Sequence, residues 1–230
     1  MIKKVAGYGA VLIAFCLSLI ALSGGKVLAA DNSDFTQVIN AGTLTTDILD
    51  SSRNPVANPS VAMSSKGFSF DCQSGGSAST GTFGTNDERP YVINGDAADN
   101  GWTLTIAATG GATTVWSDGG SNTFDFNDAG GSGCTDGVDA DSKGGQMTLD
   151  PSVGTLTADC SSCTTANVTK GSSTAYSEGV TDTVTLLNAA AASDDVWRGY
   201  LTGTSVSQTI PAEQPAASYT INLTLTATAT

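Results

Sequence analysis

The residues best equipped for chemistry are acids, and they are bunched. Asp118, Asp125, Asp128, Asp136, Asp139 and Asp141 fall within 24 residues, among glycines and with almost no base nearby. Crowded carboxylates repel unless a cation sits between them or they point apart. Asp139-Ala-Asp141-Ser-Lys143-Gly144, with Asp150 in the twelfth place, follows part of a calcium-loop pattern. Lys143 in the fifth place breaks that pattern, and no helices are expected on either side, so a helix–loop–helix site is excluded. Two readings stand. One is a looser Ca2+ site in a β-loop, drawing on Asp125, Asp128, Asp136, Asp139 and Asp141. The other is a solvated acidic loop tied down by Cys134.

Catalysis finds little support. The chain has no histidine, so the commonest general base and metal ligand is missing. A serine nucleophile would need a lysine partner, and Lys66, Lys143 and Lys170 stand in no recognisable motif. Three tryptophans offer a different chemistry, because an indole face can stack on a sugar ring. Trp102 lies on the inward face of an alternating segment and reads as core. Trp116 and Trp197 lie beside Asp118 and Asp195, where strands are expected to end; burial in the core is the favoured reading for both, and they are the candidate glycan or partner contacts if one is exposed.

The first thirty residues look like an export signal. Lys3 and Lys4 precede an apolar run from Val5 to about Leu22, and Ser23-Gly24-Gly25-Lys26 breaks it. Val27-Leu28-Ala29 then presents small or branched residues at a peptidase site, with cleavage expected after Ala29 or Ala30. A retained anchor is the alternative, since roughly 18 apolar residues approach the length of a membrane span. Residues 31–230 hold all 22 acids against six bases: Arg53, Lys66, Arg89, Lys143, Lys170 and Arg198. Such a surface repels nucleic acid and anionic membranes alike. Four cysteines follow the signal: Cys72, Cys134, Cys160 and Cys163. An even number in an exported chain reads as two disulfides. The favoured pairing is Cys72–Cys134 with a tight Cys160–Cys163.

The elements that must position these groups are strands. Glycine, threonine, serine, alanine and aspartate dominate, while the long-helix formers lysine, glutamate and arginine are scarce. From Tyr219 to Thr230 apolar residues and threonines alternate almost without a break. Shorter alternations run through Leu44–Ile48, Trp102–Ile106 and Thr183–Leu186. Weaker candidates are Gly67–Cys72, Arg89–Ile93, Gln146–Leu149, Gly154–Cys160 and Val196–Thr202, whereas Leu187–Ala192 reads as a short helix. Nine or ten short strands between glycine, asparagine and aspartate turns predict an all-β fold. The expected form is one two-sheet antiparallel β-sandwich, jelly-roll-like and disulfide-stapled, over residues 31–230.

Two short stretches resemble known families. Phe35-Thr-Gln-Val-Ile-Asn40-Ala-Gly42-Thr-Leu44 resembles the opening strand of the TasA/camelysin biofilm-fibre family. That resemblance implies a jelly-roll sandwich whose subunits join by lending a terminal strand to the next sheet. It marks Phe35, Val38, Ile39, Leu44 and Ile48, in segment 35–49, as an exchangeable assembly strand. Asn100-Gly101-Trp102-Thr103-Leu104, with Ile210-Pro211-Ala212 and Tyr219–Leu225, is similar to the WxL cell-wall-binding family. Here Leu223 stands where that family places a second tryptophan, which weakens the carry-over of wall binding. The expectation is an exported cell-surface or extracellular protein, not an enzyme, with a structural or adhesive role and self-assembly into fibres. The alternative is a monomeric module for wall polymer or glycan. After signal cleavage neither reading requires membrane insertion.

Overall fold

The computed structural model describes residues 37–137 and 143–230. The expected signal and Phe35 lie outside them. Fourteen strands fall within the described residues. In chain order they are β1 Leu44–Leu49, β2 Ser79–Phe83, β3 Arg89–Gly95, β4 Trp102–Ala108, β5 Val115–Ser117, β6 Thr123–Asp125 and β7 Met147–Asp150. Then follow β8 Thr155–Ala158, β9 Val168–Lys170, β10 Thr174–Ala175, β11 Thr183–Ala189, β12 Val196–Thr202, β13 Thr204–Gln208 and β14 Leu223–Ala229. All pairings are antiparallel.

One layer of the sandwich is the sheet β14-β4-β11-β9. β4 shows why it forms: Trp102, Leu104, Ile106 and Ala108 point inward while the residues between them stay half-buried. The opposite layer consists of two sheets, β1-β3-β12-β8 and β2-β13-β7-β10. Three of their columns are continuous in sequence, with β2 leading to β3, β7 to β8 and β12 to β13. This is therefore a single layer bent along a line. Gly84 and Gly203 lie on the bend with φ of 82° and 78°, and the Gly203 N–H donates to the Gly84 carbonyl at 2.8 Å. A Cβ on Gly84 would come within 2.7 Å of the Leu201 carbonyl oxygen, so the close approach itself demands glycine.

The core lies between the layers within the compact unit Asn40–Thr230. Trp102 and Trp197 meet across it with ring centroids 5.0 Å apart. Leu104, Leu149, Leu186, Leu187 and Leu201 are fully sealed. The Tyr176 hydroxyl donates to the Ile106 carbonyl at 2.9 Å, which spares a buried oxygen on each side.

Several expectations need correction. The strand count exceeds nine or ten because the bend cuts long strands in two. Leu187–Ala192 is not helical. A β-bulge between Thr185 and Leu187 turns both Leu186 and Leu187 inward, and that doublet breaks the period of two. Gly67–Cys72 is not a strand, and Phe68 and Phe70 are exposed there. The strand regularity expected over 35–49 begins only at Leu44. That expected from Tyr219 begins at Leu223, and its apolar face is half-buried.

Two outcomes test this architecture. Gly111 has φ of 84° and open space around it, so Gly111→Ala should cost about 1–2 kcal/mol, the left-handed penalty alone. Gly84→Ala adds a backbone clash and should cost distinctly more in urea unfolding. Equal losses would refute the bend constraint. Burial holds the Tyr176 phenol well above its ordinary value of 10.0. The folded chain then keeps a proton that the unfolded chain loses, so this stability is full below about pH 10 and falls as pH rises. Tyr176→Phe should flatten the alkaline decline of Tm, and an unchanged slope would rule the residue out.

Candidate functional site

A cleft among the described residues is built around Trp116. β5 and β6 form a two-stranded ribbon, with Trp116 opposite Phe124 in register. Their rings stack at 5.8 Å, and Phe124 meets Tyr219 edge-on at 5.0 Å. The Trp116 Nε1–H donates to Gln208 Oε1 at 2.8 Å, while Gln208 Nε2 donates to the carbonyls of Thr209 and Asp125. Gln208 is itself buried, so the indole is held from below by a saturated amide. Tyr219 is fixed from both sides, accepting from Gln214 Nε2 at 2.8 Å and donating to the Pro215 carbonyl at 2.7 Å.

These groups line a cleft of about 420 Å³ under the strap Val61–Ser69. Ser64 holds the strap to β2: its N–H donates to the Thr80 carbonyl at 2.7 Å, its carbonyl accepts from Ser79 Oγ at 2.7 Å, and its Oγ accepts the Thr80 N–H at 2.9 Å. The Cys72–Cys134 disulfide anchors its far end, with Cα atoms 5.6 Å apart. Cys160 and Cys163 form the second pair, as expected, with Cα atoms 5.2 Å apart.

A second cavity of about 320 Å³ opens where β1 and β14 approach each other at one margin of the sandwich. Its lining is mostly apolar and includes Ile48, Met63, Phe83, Ile106, Leu223 and Leu225, with Glu88 as its charged residue. Val61, Met63, Trp116 and Tyr219 border both cavities. β1 and β14 belong to different sheets, and no ladder joins them.

Other expected site residues are scattered. Trp197 is removed from the contact set: it is 1% exposed, packs on Trp102, and donates its Nε1–H to the Thr164 carbonyl. Alternation along β12 turns Val196 outward instead. Asp125 and Asp128 are buried, and Asp128 Oδ2 accepts the Gly137 N–H at 2.9 Å. Asp136 is exposed, and Asp139 and Asp141 lie outside the described residues. Among the described residues no group of three potential metal ligands comes together. Asp118 closes its own turn. The Gly120 N–H and the Asn122 side chain bond its carboxylate and hold it below the usual range. Leu44 and Ile48 pack against the core from β1, whereas Val38 and Ile39 are 70% and 88% exposed and belong to no strand.

Sequence reasoning missed Phe68, Phe124, Gln208, Gln214 and Tyr219. The available signal was Phe68-Ser69-Phe70, an aromatic alternation beside Cys72 that reads as a strand but has no partner edge. Three of the six bases are committed on the outer face of β1-β3-β12-β8. Asp159 receives the Tyr91 hydroxyl at 3.0 Å and Arg53 at 3.4 Å, Arg198 Nε donates to the Asp159 carbonyl, and Arg89 lies over the Tyr200 ring. Among the described residues no helix is long and apolar enough to cross a membrane. Comparison with protein-family models, curated proteins and solved structures yields no match.

The two disulfides should differ in weight. Replacing Cys72 and Cys134 together with serine should cost about 4 kcal/mol, and replacing Cys160 and Cys163 about 2, in the chain-entropy model. Urea midpoints of the two double variants check the order. A larger loss from the short pair would contradict it.

Proposed function

We propose that this chain is an exported, extracellular β-sandwich with a structural or adhesive role, joining copies of itself by strand addition. The observation that carries the reading is the sandwich margin, where β14 presents an edge beside a mostly apolar slot. Natural sheets guard their edges with charge, proline, bulges or a covering segment. β9 holds Lys170, β8 runs into the Asp159–Arg198 contact, and β2 lies under the strap. β14 spans seven residues with neither charge nor proline.

The donor is the segment ahead of β1. Val38 and Ile39 expose aliphatic surface that a strand laid along β14 would bury, at roughly 1.5–3 kcal/mol per fully buried side chain. Backbone hydrogen bonds would supply the rest of the affinity, and the like-charged bodies would meet along β14, which carries no charge, with Glu88 the one charged residue lining the slot. Export agrees with both disulfides and with the leader-like first thirty residues.

Oxidised protein spanning residues 31–230 should form filaments or oligomers by negative-stain electron microscopy and size-exclusion chromatography. Deleting residues 31–42 should leave monomers. Thr226→Lys places a charge on the exposed face of β14 and should cut assembly at least about tenfold without changing Tm. Assembly that survives both changes would overturn strand addition through these elements.

A further inference from the structure

The Trp116 cleft is not the surface invoked for strand addition, and its chemistry differs from that of the slot, although Val61, Met63, Trp116 and Tyr219 border both. Its walls combine aromatic rings with amides and hydroxyls: Trp116, Phe68 and Tyr219 against Gln73, Gln214 and several serines. Lys66 is the one charged residue in the described lining, in a chain that carries 22 acids. Absence of carboxylates from that lining argues against a cation, and a single lysine is too little for a polyanion. We infer that this cleft is a binding site for a neutral saccharide, whose ring faces stack on aromatics while its hydroxyls meet amides and serines.

Three features support that assignment. First, the rings are already in place. Trp116 is fixed by Gln208 and Phe124, and Tyr219 by Gln214 and Pro215, so a ligand orders little on binding. Second, acceptors are available. Gln73 Nε2 donates to the Gly67 carbonyl and Gln214 Nε2 to Tyr219, while neither amide oxygen receives a hydrogen bond from a described residue. Third, the mouth exposes apolar surface at an anchored position. Phe68 and Phe70 are 54% and 76% exposed and pack edge to face at 5.1 Å. Their segment is pinned by Cys72–Cys134, by the Gln73–Ile210 pair, and by the Glu213 N–H to the Ser69 carbonyl. Exposed aromatics on a tethered segment beside a polar cleft mark a contact surface. The volume falls within the roughly 300–1,000 Å³ of small-ligand sites.

Tryptophan emission tests this directly, because Trp102 and Trp197 are sealed in the core and Trp116 is half-buried. The exported protein would be titrated with chitohexaose, cellohexaose and maltohexaose, with calorimetry in parallel. At least one should give a saturable change in emission and heat. Trp116→Phe should abolish the emission change, and Phe68→Ser should weaken calorimetric affinity at least about tenfold. Phe68 is exposed, so its replacement leaves folding intact. Thr226→Lys, which blocks assembly, should leave saccharide binding unchanged, so the two proposals fail separately. No saturable response to any of the three sugars overturns the assignment, as does affinity unchanged by Phe68→Ser. Saturation by a synthetic peptide of residues 33–44, with no response to the sugars, also overturns it and gives the cleft to assembly.

Discussion

A sheet layer that bends must bring its strands together at the bend with almost no side chain between them. In this protein Gly84 meets the strand leaving Leu201 at a distance that a Cβ would violate, and Gly203 bonds back across the same line. Three strand pairs turn together there, so a single layer becomes two sheets over one opposing sheet. The Trp102–Trp197 contact under the first sheet and the Met147, Leu149 and Val206 cluster under the second both depend on that turn. Tyr176 fastens the second to β4 by bonding the Ile106 carbonyl.

The same bend leaves one margin open. β1 ends one sheet of the bent layer and β14 ends the opposite layer, and their aliphatic faces approach without a ladder. The strap Val61–Ser69 covers β2 but stops short of closing the slot, and in doing so it roofs the aromatic cleft. The proposed assembly edge and the proposed ligand cleft are thus neighbours at one unclosed margin, divided by Val61, Met63, Trp116 and Tyr219. Nothing comparable marks the described residues of the acidic loop. Asp118 and Asp128 spend their carboxylates on local N–H groups, as turn residues do.

Charge separates the surfaces further. Bases on the outer face of β1-β3-β12-β8 are engaged by Asp159 and the tyrosines, which removes them from any polyanion. The cleft lining holds one lysine, the slot lining one glutamate, Glu88, and β14 no charge. A strongly acidic chain thus keeps its two proposed contact surfaces nearly neutral, so self-repulsion is least where contact is proposed.

Legibility followed range. Alternation at Trp102–Ile106, Val196–Thr202 and Leu223–Ala229 was visible because a strand with one buried face repeats every two residues, whatever it packs on. The cysteine count and spacing favoured the two pairs found, and the shortage of long-helix formers fixed the class. Three things were not visible. Leu187–Ala192 looked helical because a bulge is a property of pairing, and Trp197 stood as a candidate contact because a strand's facing depends on its partner sheet. The cleft was hidden because Trp116, Phe124, Gln208 and Tyr219 come from four places in the chain. Sequence by itself determined an acidic, disulfide-stapled all-β chain, since composition and local period act on each segment alone. Tertiary structure decided where the layer bends, which margin stays open and which tryptophan meets solvent, because these depend on contacts between residues far apart in sequence.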